Sequence, residues 1–150
     1  MASTVDSATL KVQIQEDIEL NGTKRGAKIV HSFKNITQID ERILTVPTYS
    51  VNVLLLSGAA GAGTYETSSF KYARLTNLDD ANFLTVTVSS GSAGSKLVQK
   101  LGPKTSMILT SPSISGSSAG VTFDAFSNFT AVKASADTAS VDMSLFVATT

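Results

Sequence analysis

The stretch Phe70 to Val88, FKYARLTNLDDANFLTVTV, decides the class of this protein. An alternating run is followed by a polar turn at Asn77 to Asn82. A second alternating run then places Leu84, Val86 and Val88 on one face and Phe83, Thr85 and Thr87 on the other. Period-two alternation on both sides of a turn rich in Asn and Asp predicts a β-hairpin with one face in a core.

Outward from this stretch, the same period recurs. Leu10, Val12 and Ile14 alternate with Lys11, Gln13 and Gln15, and Ile18 and Leu20 carry the phase to Asn21-Gly22. Asn-Gly between two such runs signals a type I′ hairpin turn, since both residues tolerate positive φ. The return strand is expected over Gly26 to Phe33, and it carries a basic cluster of Lys24, Arg25, Lys28 and Lys34. Ile36, Ile39, Ile43 and Leu44 fit a helical spacing, whereas Arg42 to Val46 before Pro47 fits a strand, so one helical turn leading into a strand is expected. Val51, Val53 and Leu55 form another strand, and Gly58 to Gly63 reads as a flexible hairpin tip. Lys96 to Leu101 fits either a strand or a short capped helix. Thr105 to Leu109 is a strand, Ser111 to Gly120 a Ser/Gly loop, and Val141, Met143, Leu145 and Val147 mark a strand paired inside a sheet. Together these predict an all-β fold: a single β-sandwich or barrel of about eight short strands over residues 10–150, preceded by a polar arm at 1–9.

Composition narrows the function classes. The chain has 150 residues, enough for one domain with its own core, and is 42% hydrophobic and only 16% charged. About a quarter of the residues are Ser or Thr, as suits solvated strand faces. A formal net charge of +0 and a pI near 6.6 provide no field for a polyanion, so neither nucleic acid nor an anionic membrane is expected as partner. The longest apolar stretch, around Val51 to Leu56, is too short to span a bilayer, and the first residues lack the pattern of a secretory signal. Synthesis in the cytoplasm follows as the expectation. The chain has no cysteine, which removes disulfides, thiolate metal sites and cysteine nucleophiles together.

Little catalytic chemistry is legible, and no cofactor, metal site or enzymatic activity is expected. His31 is the only histidine, without a nucleophile signature near it. Asp79-Asp80 with Asn77 and Asn82 lacks the order of a calcium loop and reads as turn chemistry. The glycines from Gly58 to Gly63 lack a Walker lysine and a following helix. Glu16, Asp17, Glu19, Glu66 and Asp124 offer carboxylates, but nothing in the sequence pairs them. With no tryptophan and 7% aromatics, a stacking platform for sugars or single-stranded nucleic acid is poorly supplied. Three sequons, at Asn21, Asn35 and Asn128, are chance occurrences in a Ser/Thr-rich chain. The one local asymmetry is Lys24, Arg25, Lys28 and Lys34, with Lys11 beside them if the hairpin forms, which suits contact with an acidic surface.

Four segments carry a resemblance: LKVQIQEDIELNGTKRG from Leu10, RILTVPT from Arg42, YARLTNLDDANFLTV from Tyr72 and KASADTASVDMSLFVAT from Lys133. Together they resemble small β-rich structural proteins of tailed bacteriophages, especially marine ones. Leu101-Gly102-Pro103-Lys104-Thr105 is similar to the loop that enters a later jelly-roll strand, with Pro and Gly in inverted order. The resemblance implies a virion protein with a jelly-roll-like sandwich, acting as a capsid decoration or cement subunit. Its implied partners are the major capsid protein and copies of itself, as a homo-oligomer such as a trimer. Contact is expected through Ser3, Thr4 and Val5 of the arm and through Lys11, Lys24, Arg25 and Lys28. A tail, fibre or appendage subunit is the alternative, and a stand-alone ligand-binding or enzymatic sandwich is a third reading.

Overall fold

The computed structural model describes residues 5–90, 95–114 and 127–150. Among them the chain is all β, with a single 3₁₀ turn at Thr67–Ser69 and no α-helix. In chain order the strands are β1 (Ala8–Gln15), β2 (Ile18–Leu20), β3 (Thr23–Arg25), β4 (Lys28–Ile36), β5 (Gln38–Val46), β6 (Val51–Ser57), β7 (Thr64–Glu66) and β8 (Phe70–Asn77). They continue with β9 (Leu84–Ser90), β10 (Ser95–Leu101), β11 (Ser106–Leu109), β12 (Ser113–Ile114), β13 (Ser127–Asn128), β14 (Ala131–Ala136) and β15 (Val141–Thr149).

Two sheets share one core and make the fold β-sandwich-like. A four-stranded sheet has the order β11-β8-β15-β5, and a five-stranded sheet the order β10-β9-β14-β6-β7. Alternation supplies the facing sides: Ala73, Leu75, Val141, Met143, Leu145 and Val147 from the first sheet meet Leu54, Leu84, Val86, Val88, Val132 and Ala134 from the second. All twelve are buried, so the apolar phase of each strand is spent on this interior.

Eight strands of the two sheets are nested in their pairing. The first, β5, pairs with the last, β15; the second, β6, pairs with β14; the third, β8, with β11; and the fourth, β9, with β10. Further antiparallel ladders, β15 with β8 and β14 with β9, join these pairs into the two sheets. The stretch from Phe70 to Val88 is therefore not a hairpin. Its two strands lie in opposite sheets and Asn77 to Asn82 carries the chain across the core, because period two sets which side chains face inward and not which strand lies alongside. One other expectation also gives way to strand, and one open alternative resolves to it. Of the residues spaced like a helix turn, Ile36 ends β4, and Ile39, Ile43 and Leu44 lie on β5, where nine unbroken pairs with β15 impose extension. Lys96 to Leu101 becomes β10 by pairing with β9 along its length. Gly58 to Gly63 is not a hairpin tip either, since β6 and β7 run parallel, with Leu55 opposite Thr64.

Before the sandwich the chain forms a long two-stranded ribbon. β1 pairs with β4 from Ala8 opposite Ile36 to Gln15 opposite Lys28, and the short β2–β3 hairpin makes its tip. Asn21 (φ 52°) and Gly22 (φ 76°) form the tip turn with the positive dihedrals that Asn-Gly was expected to provide. Gly26 (φ 135°) lets the returning strand pass Glu16 closely: a Cβ there would sit 2.0 Å from the Glu16 carbonyl oxygen. Ala8 and Thr9 belong to β1 rather than to a free segment.

Candidate docking surface

The ribbon has two unlike faces, dictated by register. Leu10 opposite Phe33, Val12 opposite His31 and Ile14 opposite Ile29 share one face. Lys11 opposite Ser32, Gln13 opposite Val30 and Gln15 opposite Lys28 share the other, and Lys34 follows the phase of Lys28 and Ser32. The root of the apolar face rests on the outside of the four-stranded sheet. There Leu10, Val12 and Phe33 pack with Ile36, Tyr72, Phe146 and Ala148 in a second, smaller core. Ring centroids are 5.5 Å apart for Phe33 and Tyr72 and 6.0 Å for Tyr72 and Phe146. Beyond Val12 this support ends. Ile14, Ile18, Leu20, Ile29 and Val30 are exposed, so the distal half of the ribbon presents apolar side chains to solvent.

The expected contact residues fall on this ribbon in two groups. Lys11 and Lys28 lie on its polar face together with Lys34, while Lys24 and Arg25 lie on β3 at the tip. All are exposed, and Val5 is exposed beside the start of β1. Ser3 and Thr4 lie outside the described residues, as does Asp124. His31 sits exposed on the apolar face, opposite Val12. The exposed distal isoleucines were missed by a reading centred on charge, although their alternation was visible in the sequence.

A second feature is a cleft of about 430 Å³ where the open edge of the four-stranded sheet meets the loop before β7. Asp40, Arg42, Tyr65, Glu66 and the Gly61–Gly63 turn line it. The Tyr65 hydroxyl donates to the Asp40 carboxylate, the Arg42 guanidinium lies 3.7 Å from that carboxylate, and its Nη2 donates to the Val53 carbonyl at 3.4 Å. Burial first, and then the bond and charge of Asp40, push the Tyr65 phenol up to about 12, against the pull of Arg42. This is a clamp between the two sheets at their open side.

The opposite end of the sandwich is closed by backbone capture. Buried Asn77 donates from Nδ2 to the carbonyls of Asn82 (2.9 Å) and Leu101 (3.1 Å), and its Oδ1 accepts the Asp79 N–H at 2.9 Å. Asp79 in turn accepts the N–H groups of Ala81 (2.7 Å) and Asn82 (2.6 Å). These backbone bonds, assisted by the Lys104 charge, hold its carboxyl below the ordinary 3.8. Asp79 is thus occupied in shaping the crossing turn. No group of three or more His, Asp or Glu side chains placed to hold a metal ion occurs among the described residues. Comparison with known protein families, with curated proteins and with solved structures finds no match.

Proposed function

We propose that this protein is a virion structural subunit, a capsid decoration or cement protein whose sandwich is a jelly roll and whose ribbon docks on the assembled shell. The observation that carries the reading is the ribbon. A two-stranded ribbon is marginal in water by itself, and here its distal half keeps an apolar face that no part of the sandwich covers. A partner surface that covers Ile14, Ile18, Leu20 and Ile29 supplies what the sandwich does not. The nested pairing supports the class: first strand with eighth, second with seventh, third with sixth and fourth with fifth is the pattern of a rolled-up hairpin, an architecture shared by capsid and lectin domains. Lys11, Lys28 and Lys34 stand on the ribbon's other face, away from that apolar contact, and suit an acidic surface on their own side, giving direction more than strength.

The test uses purified particles. Ile14→Ser with Ile29→Ser should leave the melting of the free protein nearly unchanged and strip the protein from the shell at concentrations where the wild type stays bound. Finding the wild-type protein only in tails, or at one or a few copies per particle, sinks the decoration reading in favour of a tail or appendage subunit.

A further inference from the structure

The two sheets end in four edge strands, and three of them are blunted. β11 is a four-residue strand, β7 has three residues and β10 sets Lys96 and Lys100 either side of Val98 on its outward face. Short edges and edge lysines are the usual defences against strand addition. β5 has neither. It runs nine residues without a bulge or proline, and its outward Ile39 and Ile43 are 56% and 67% exposed. Its outward charge is drawn off the edge: Glu41 reaches across Phe146 to Arg74 on β8, 3.9 Å away, and the Arg74 guanidinium lies 5.8 Å from the Phe146 ring centroid. Among the described residues no other strand takes up the backbone groups on the free side of β5.

We infer that β5 pairs antiparallel with β5 of a second copy of this chain, joining two four-stranded sheets into one across a two-fold axis. The occupant is argued from the strand's own sequence. With Glu41 on the axis, Ile39 of each copy stands opposite Ile43 of the other and Asp40 opposite Arg42 of the other, while the two Glu41 carboxylates that meet at the axis are each drawn toward their own Arg74. Moving the axis to Arg42 would instead set each Ile43 against a glutamate and each Asp40 against Leu44, so that neither the apolar nor the charged pairs form. The pairing gives a dimer, one form of the homo-oligomer that the resemblance implies, in place of a trimer. It uses a surface other than the exposed half of the ribbon, and so stands or falls separately from the docking reading above.

The chain has no cysteine, which makes crosslinking diagnostic. Opposed residues on antiparallel strands lie about 4.5–5.5 Å apart at Cα, within disulfide reach. Glu41→Cys alone should therefore form a covalent dimer on mild oxidation, because residue 41 faces itself. Ile39→Cys and Ile43→Cys should each stay monomeric under denaturing, non-reducing conditions, since each is about 13 Å from its own copy, yet should link when the two are mixed. In light scattering, the wild type should run at twice its 15.6 kDa mass. Ile43→Lys, at an exposed position that does not threaten folding, should weaken the dimer by about tenfold or more. A wild type that stays monomeric throughout the micromolar range overturns the inference. So does a dimer that ignores Ile43→Lys and links at ribbon cysteines instead of at residue 41. Retention of the Ile14→Ser/Ile29→Ser variant on the shell, with the dimer intact, would count against the ribbon reading alone.

Discussion

The outer faces of the two sheets are built from the same alternation and finished in opposite ways. On the five-stranded sheet the outward positions are mostly polar, Thr85, Thr87, Ser89, Lys96, Lys100, Lys133 and Ser135, with Val98 exposed between the two β10 lysines. Hydroxyls and lysines there satisfy water at little cost. On the four-stranded sheet the outward positions include Tyr72, Phe146, Ala148, Ile39, Ile43 and Ile108, and the ribbon root covers only the first three. One face is nearly complete in the isolated chain. The other is complete only in part, and what remains bare runs on along the ribbon and the β5 edge. In a chain of neutral overall charge, the four-stranded side is thus the one left with bare apolar residues.

The contrast can be broken most forcefully at Tyr72, which is 4% exposed. Tyr72→Ala should cost about 3 kcal/mol in denaturant unfolding, and it should free the ribbon root so that proteases cut between residues 8 and 36 first. Thr87→Ala on the finished face should change stability by about 0.5 kcal/mol or less. Equal losses at both positions would erase the distinction. Next in size is Asn77→Ala. It strands the carbonyls of Asn82 and Leu101 and the Asp79 N–H, and should cost roughly 2–3 kcal/mol by the same unfolding measurement. Because both faces depend on the sheets being held together at that end, acid offers a gentler probe. The folded carboxyl of Asp79 titrates below the ordinary 3.8, so its contribution is present in full above that pH and is lost as the pH falls through the lower folded value. Unfolding midpoints measured from pH 6 to pH 2 should drop less steeply in Asp79→Ala than in the wild type. The smallest effect on stability belongs to the distal ribbon, where Ile18→Ser with Leu20→Ser should leave the melting temperature unmoved.

How much of this was legible in the sequence depends on whether a feature is local. The type I′ turn at Asn21-Gly22 and the faces of β9 and β15 follow from residues close together in the chain, and all three stand. The partner of each strand does not follow. Nothing in FKYARLTNLDDANFLTVTV marks Asn77 as a buried bracket that sends β8 and β9 into different sheets; its side chain is committed in part to Leu101, far along the chain. Ile39 and Ile43 carry a helical spacing that loses to the ladder with β15, more than ninety residues on. The clamp of Asp40, Arg42 and Tyr65 was likewise invisible, because it joins residues from opposite sheets. The basic cluster was legible as a cluster, but its division between the ribbon's polar face and its tip required the register of β1 with β4.

The pairing of β5 with β15 also sets the order in which the chain can finish folding. β8, β9, β10 and β11 lie near one another in sequence and can find their partners early, whereas β5 waits for Val141 to Thr149. Closing so long a loop is slow, and the contacts that repay it arrive together at the end. On a ribosome, β5 and the ribbon emerge first and are paired to the sandwich last. During that interval β5 has two open edges instead of one, and a nascent neighbour competes with β15 for the inner one.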